Sequence, residues 1–213
     1  MRITVVGGTG YAGANIAAEA AGRGHAVTVW SRSAPTETIP GVEYRQGSVL
    51  DAAVLEEAVQ GADVVVEALS PRGELEGRLA PVVSRLAGLT QTAGAKLAVV
   101  GGAGSLLVAE GGPAVADTDG FPDSFRPEAK EMAQILTDLR AWEGPLEWFF
   151  LSPAGGFGPW AAGERTGRYR IGGDVLLTDA EGNSNISGAD FAIAFVDEIE
   201  HPAHTRQRFS VAY

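Results

Sequence analysis

The segment from Gly7 to Gly13, reading GGTGYAG, constrains this chain more than any other stretch. It follows the apolar Ile3, Val5 and Val6 and runs directly into the alanine-rich stretch Ala12 to Ala21. Two spacings are satisfied at once: Gly8, Gly10 and Gly13 give GxGxxG, and Gly7, Gly10 and Gly13 give GxxGxxG. A strand that ends on glycines and a helix that begins on them leave a turn with no Cβ atoms in the way. A pyrophosphate can then approach the backbone and sit on the free N–H groups at the helix start. Glycine-rich turns that bind nothing share this pattern. The context is specific, because a predicted strand precedes it, a helix follows, and a second strand comes at Ala26 to Trp30.

The end of that second strand bears on the choice of cofactor. Sites that prefer NAD(H) place an acid roughly 20 residues past the glycines to hold the ribose hydroxyls. Here the chain reads Ser31, Arg32, Ser33, and no acid precedes Glu37. A guanidinium flanked by hydroxyls suits a 2′-phosphate, which a carboxylate would repel, so NADP(H) is expected ahead of NAD(H). The competing reading of Arg32 is a solvated loop arginine.

Further along, Val42 to Gln46 reads as a short third strand and Asp51 caps a helix over Ala52 to Gln60. In a doubly wound sheet, Gly47 to Leu50 between them lies beside the adenine. Ala62 to Leu69 is an almost unbroken apolar strand, and its exit at Ala68, Leu69 and Ser70 falls on the ligand-binding edge. Glu67 inside that run is either a functional acid near the cofactor or an acid facing solvent or an arginine. A core-facing helix is predicted over Glu74 to Ala93, then a strand over Lys96 to Val100. The second glycine cluster, Gly101, Gly102, Ala103, Gly104, Ser105, is expected to let backbone approach ligand again.

From Leu106 to Arg126 the chain lacks periodicity, which suggests a lid or substrate wall, with disorder as the alternative and Phe121 and Phe125 as its apolar face. Pro127 suits the first turn of a helix over Glu128 to Arg140, and Leu146 to Leu151 is the sixth strand. Its exit runs from Ser152 through Phe157, with Trp160 in the loop beyond. Tyr169 to Ile171 and Val175 to Leu177 read as a hairpin around Gly172 to Asp174. Ser187 and Asp190 form a capping-box-like start for a helix through Glu200, and Arg208 to Tyr213 is a last strand. Substrate-side elements are therefore expected within about 102–126 and 152–190.

At 213 residues the chain suits one well-buried domain. With 27 acidic against 16 basic residues, net −11, no basic run exists to release counterions, so nucleic acid and anionic membranes are not expected as partners. Cysteine is absent, which excludes disulfides, thiolate metal sites and cysteine nucleophiles. His25, His201 and His204 are too scattered for a metal site. A strand begins directly after Met1 and Arg2 with no signal segment ahead of it, so a cytoplasmic protein is expected. No apolar run reaches the roughly 18 residues of a membrane span. A small-molecule partner and a monomer or homodimer complete the expectation.

Taken together, GGTGYAG, the second-strand exit SRS, the fifth-strand exit GGAGSL, the sixth-strand exit SPAGGF and the tail segments GRYRIGG, SGADFAIAFVDEIE and RFSVAY resemble a known family. It is the atypical short-chain dehydrogenase/reductases, in the NmrA-like group that includes biliverdin reductase B, a flavin reductase. The resemblance runs over nearly the full length. It implies a single-domain Rossmann fold, a doubly wound, mostly parallel sheet of seven to eight strands with a small C-terminal substrate-side extension. It also implies NADP(H) across the carboxyl edge and reduction of a small planar or quinone-like acceptor. By matching position, the pyrophosphate would meet Thr9, Gly10, Tyr11, Ala12 and Gly13, next to Gly7, and the 2′-phosphate would meet Arg32 and Ser33, next to Ser31. The adenine would meet Ser48 and Val49, the ribose region Ala68, Leu69 and Ser70, and the nicotinamide Gly101, Gly102, Ala103, Pro153 and Ala154.

Two departures from the family pattern stand out. Ser48 takes the place of the aspartate in the usual Gly-Asp-Val adenine segment, which removes a carboxylate acceptor. The standard short-chain enzymes also use a Tyr with a Lys four residues on, the ammonium readying the phenol as general acid. Here the lysines are Lys96 and Lys130, preceded at that spacing by Thr92 and Arg126, so no YxxxK exists. The serine usual at the fifth strand is replaced by Ala103, with Ser105 two positions on as the one catalytic candidate. Hydride transfer to an acceptor that stabilises its own negative charge needs mainly proximity and exclusion of water. The reading is therefore an NADPH-dependent oxidoreductase acting on a flavin, quinone or similar acceptor, with Ser105, Phe157 and Trp160 near it. Packing for the aromatics and turn closure for Ser105 remain open. The alternative is a non-catalytic NADP(H)-binding redox sensor; an epimerase or dehydratase of nucleotide sugars is a third reading.

Overall fold

In a computed structural model describing residues 1–213, the near-continuous apolar runs become strands covered on both faces. These are β1 (Arg2–Val6), β4 (Val64–Glu67), β5 (Lys96–Val100) and β6 (Trp148–Ser152), buried along almost their whole length. With β2 (Ala26–Ser31), β3 (Val42–Gln46), β7 (Arg170–Gly172) and β8 (Gln207–Ala212) they form one eight-stranded sheet in the order β3-β2-β1-β4-β5-β6-β8-β7. Every pairing is parallel except β7 with β8. The order reverses between β1 and β4, and the crevice beyond their carboxyl ends is where such sheets bind ligands.

Because strand side chains alternate, the sheet buries two separate apolar layers. Helices α1 (Tyr11–Gly22) and α5 (Gly188–Glu200) cover one face, with Ile16, Ala17, Phe191 and Phe195 packed on Val5, Val29, Leu151 and Phe209. Helices α2 (Ala52–Val59), α3 (Leu79–Ala93) and α4 (Arg126–Arg140) cover the other, with Leu55, Leu86, Ile135 and Leu139 against Val65, Val99 and Phe150. No helix is long and apolar enough to cross a membrane.

Local signals account for most boundaries. Asp51 accepts from the Ala53 N–H at 3.0 Å, and Ser187 accepts from the Asp190 N–H at 3.0 Å, so both expected N-caps form. The capping box at α5 is only half made. The Asp190 carboxylate turns outward to the N–H groups of Thr166 and Gly167 and to the Tyr213 hydroxyl, while the Ser187 N–H donates to Tyr213.

Two expectations change, and for the 106–126 segment the disordered alternative is not what is found. The helix expected from Glu74 starts at Leu79, because Gly73 and Gly77 adopt φ of +60° and +67° and break the first turn into a short 3-10 segment, Gly73–Leu75. The expected hairpin of Tyr169–Ile171 with Val175–Leu177 does not form. β7 pairs antiparallel with β8, whose free edge supplies a full ladder, and Arg170 is tied to the carbonyls of Tyr213 and Thr178. Val175 instead bridges to Leu107. The segment from Leu106 to Arg126 is ordered. Arg126 donates to the carbonyls of Ala116, Thr118 and Phe121 and to the Asp123 carboxylate, gathering the loop around one guanidinium.

Helix α3 has no cap of its own, and Glu131 on α4 supplies one. Its carboxylate accepts from Gly77, Leu79 and Ala80 at 2.8, 2.6 and 3.0 Å. A carboxylate on unpaired N–H groups at the positive end of a helix is favourable, so Glu131 locks two helices together. Glu131→Ala is expected to lower unfolding stability by about 1–3 kcal/mol, measured by urea denaturation, without changing the fold seen by circular dichroism.

Candidate functional site

The carboxyl edge at the β1–β4 reversal is shaped by atoms that a methyl group would strike. Gly7 has φ +88°, and a Cβ there would lie 2.7 Å from the Ala68 carbonyl oxygen, so β1 exits directly against the exit of β4. A Cβ on Gly8 would meet Val29 at 2.6 Å, and one on Gly13 would meet the Gly7 carbonyl oxygen at 2.5 Å. Gly10 differs. The nearest atom to its Cβ position is the Gly7 oxygen at 3.4 Å, so Gly10 faces open space and the other three close the turn behind it.

The Gly10 N–H donates to Gly7 at 3.1 Å and the Ala14 N–H to Gly10 at 2.8 Å, but those of Tyr11, Ala12 and Gly13 have no acceptor in the protein. With no acid in the first turn of α1, this is a free, positively polarised helix start. A linked pair of phosphates is the group such a start fits. Thr9 stands exposed at its rim. Tyr11 offers only main chain, since its hydroxyl accepts from the Gly188 N–H at 2.9 Å and its ring lies edge-on to Phe157.

The ends of the next strands flank this cradle. The Ser31 hydroxyl donates to the Ser33 carbonyl at 2.7 Å and shapes the turn that presents Arg32. Arg32 and Ser33 are exposed. Arg32 Nη1 donates to Glu74 Oε2 at 2.8 Å; its other nitrogens have no partner. Spacing alone finds no acid at this corner, yet the fold brings one from 42 residues away. Ser48 accepts from the Leu50 N–H at 3.3 Å, so its hydroxyl forms a local turn, and Val49 packs on the α2–α4 side.

Beneath the Ala68–Ser70 exit lies Glu67, entirely buried and in register with Val6 and Val99. Oε1 accepts from the Leu69 N–H at 2.8 Å, and Oε2 has no partner. Burial pushes the carboxyl up to about 8, opposed only by the Leu69 hydrogen bond. Neither the solvent-facing nor the arginine-paired alternative for Glu67 is found; it is a neutral acid holding the turn that touches Gly7.

At the β5 exit the glycines serve packing more than ligand access. A Cβ on Gly101 would lie 2.1 Å from the Phe150 ring, and one on Gly104 would lie 2.6 Å from Ala129. Only Gly102 is open, with Met132 at 3.7 Å, and Ala103 beside it is half-buried. Pro153 and Ala154 are buried, Ala154 within the core under α5, so that its side chain has no access to the crevice. Ser105 Oγ accepts from Arg208 Nη1 at 3.2 Å. Arg208 is nearly buried, and its Nε donates to Asp174 at 2.5 Å, while Arg140 reaches the same carboxylate at 2.8 Å. Burial holds the Arg208 guanidinium below its usual range, against the pull of Asp174. Ser105 thus pins its loop to β8, a structural use of the catalytic candidate.

The two aromatics expected near the acceptor separate. Phe157 is spent on packing, with its ring 5.2 Å from Tyr11 and 4.6 Å from Phe191. Trp160 is 67% exposed and stacks on Phe125 at 6.5 Å between ring centres, so the segments after β5 and β6 meet at the surface. Arg72, from the β4 exit, lies 5.4 Å from the Phe125 ring and donates to Glu128. Composition pointed to neither Arg72 nor Glu74, because each acquires its role only across the crevice.

The pattern of the NAD(P)H-binding family matches residues 7–202. YwnB, an uncharacterised protein of Bacillus subtilis (strain 168), is 38% identical over 216 residues, covering 99% of this chain and 98% of that protein. A solved structure from Burkholderia pseudomallei, provisionally called an exported protein, is 41% identical with TM-score 0.87 over 100% of both chains. Another from Streptococcus pneumoniae TIGR4, provisionally named an NADH-flavin reductase, is 34% identical with TM-score 0.83, covering 100% of this chain and 99% of that one.

A carboxyl whose folded pKa is raised contributes stability that is fully present below its unfolded value and is lost as pH rises through the folded one. For Glu67 that window runs from the ordinary carboxylate range up to about 8. Stability relative to Glu67→Gln is expected to fall by on the order of 1 kcal/mol per pH unit across it. Urea titrations of both proteins near the two ends of the window test this; a constant difference between them contradicts the assignment.

Proposed function

This chain belongs to the NAD(P)H-binding family, among the atypical short-chain dehydrogenase/reductases of the NmrA-like type, and on that premise we propose that it is an NADPH-dependent reductase of a small conjugated acceptor such as a flavin or quinone. The observation that carries this reading is the bare turn behind Gly10, with the N–H groups of Tyr11, Ala12 and Gly13 unpartnered. Those three groups hold the pyrophosphate, and the free nitrogens of Arg32 hold the 2′-phosphate. The Ala68–Ser70 turn, stiffened by Glu67, walls the ribose. The open main chain at Gly102 and the chain at Pro153 flank the nicotinamide position, and Phe125 with Trp160 limits water above it.

When bound, the nicotinamide supplies a hydride. The protein supplies orientation and exclusion of water rather than a proton. No Tyr–Lys pair exists and Ser105 is held by Arg208, so the accompanying proton comes from solvent. That limits acceptors to those that stabilise their own negative charge, and it disfavours epimerisation, which needs a positioned base. The same lack of proton machinery favours a second reading, a non-catalytic NADP(H)-binding redox sensor.

Steady consumption of NADPH, followed by loss of nicotinamide absorbance with a flavin or a simple quinone, is expected. Tight binding without turnover across such acceptors selects the sensor. Gly10→Ala leaves fold and melting temperature near wild type, because its Cβ has room. It is expected to weaken NADPH binding roughly ten- to hundredfold by blocking the phosphates. Unchanged affinity in that variant contradicts the placement of the cofactor.

A further inference from the structure

Arg32 and Glu74 form an exposed ion pair across the mouth of the crevice, with side chains 68% and 63% exposed. Neither makes another polar contact within the protein. Glu74 rides on the short 3-10 turn Gly73–Leu75, just after Ser70 at the β4 exit. Gly73 and Gly77 bound that turn in left-handed conformations with open space around both, and Glu131 holds its far end at Gly77. An exposed pair of this kind contributes little to stability, so the fold has no strong need of Glu74 there.

Rossmann sites that favour NAD(H) place an acid at the end of the second strand to accept from the ribose 2′-hydroxyl. In this chain Arg32 directly follows that strand, and the acid arrives at the same corner from the β4–α3 turn. Resting on the placement of Arg32 under Proposed function, we infer that Glu74 is a specificity-determining residue that shares the ribose corner with Arg32 and holds down the preference for NADPH over NADH. With NADH, the ribose hydroxyls donate to the Glu74 carboxylate, which Arg32 keeps in place. With NADPH, the doubly charged 2′-phosphate takes the guanidinium from Glu74 and then stands beside a like charge. One residue of the pair favours each cofactor, so together they keep the ratio of affinities modest.

The test is equilibrium binding of NADPH and NADH, read by nicotinamide fluorescence, to wild type, Glu74→Gln and Arg32→Gln. Thermal melting checks that each exposed substitution leaves the fold intact. Glu74→Gln is expected to tighten NADPH roughly three- to tenfold and to weaken NADH severalfold, with the NADPH gain shrinking as salt is raised. Arg32→Gln is expected to shift the ratio the other way. If Arg32→Gln lowers NADPH affinity while Glu74→Gln leaves the ratio within twofold of wild type, the inference about Glu74 is overturned and the Arg32 reading stands. An unchanged ratio in both variants overturns the placement of the ribose corner as well. Equal weakening of both cofactors by Glu74→Gln would mark a structural role and also overturns the inference.

Discussion

The contact of the Gly7 carbonyl with the first turn of α1, and of Gly7 itself with the Ala68 carbonyl, governs the rest of the carboxyl edge. Backbone meets backbone there with no side chain between, which glycine alone permits at φ +88°. That closeness sets how far α1 stands from the sheet and leaves its first N–H groups facing outward. It also joins the exits of β1 and β4, the strands between which the sheet order reverses. A bare helix start and a topological switch point are thus one piece of geometry.

Around it, each face of the sheet is fastened differently. On the α1–α5 face a polar network runs along the outside of the helix pair. Arg23 reaches Glu19, Asp197 and Glu200, and His25 shares Glu200. Tyr169 donates to Asp197, and burial with that hydrogen bond raises its phenol well above the ordinary range. Such a network supports orientation more than stability, since partly exposed pairs are screened by water. On the other face, α3 begins on a carboxylate from α4, and the loop before α4 gathers on Arg126. The loop before α4 is therefore tied to the domain by hydrogen bonds, with Phe125 and Trp160 in contact at its surface.

Buried polar groups divide by whether they have partners. The buried Arg208 is satisfied by the exposed Asp174 and the half-buried Ser105, which ties the β5 exit to β8, so it acts as a fastening. Glu67 has half its needs met, and a carboxyl in that position stays protonated at neutral pH. It lies under the turn that meets Gly7, where its Oε1 holds the Leu69 N–H.

Periodicity and turn chemistry in the amino-acid sequence were enough to assign the strand–turn–helix cradle, the strand and helix sequence, the Asp51 and Ser187 caps and the parallel sheet. Each of these is decided within a few residues: glycines where Cβ atoms would collide, apolar runs where both faces are covered, short oxygens where a helix begins. The pairing of β7 was not legible, because a hairpin and a ladder to a distant edge ask the same alternation of Tyr169–Ile171. Nor was the duty of Gly101 and Gly104, since glycine reads alike whether a ring, a helix or a ligand fills the space. Glu74 beside Arg32, Arg208 behind Ser105 and the isolation of Glu67 were settled by tertiary structure alone. They depend on which side chains the crossovers carry to one edge, and charge partners brought together from 42 or 103 positions apart leave no local pattern to read.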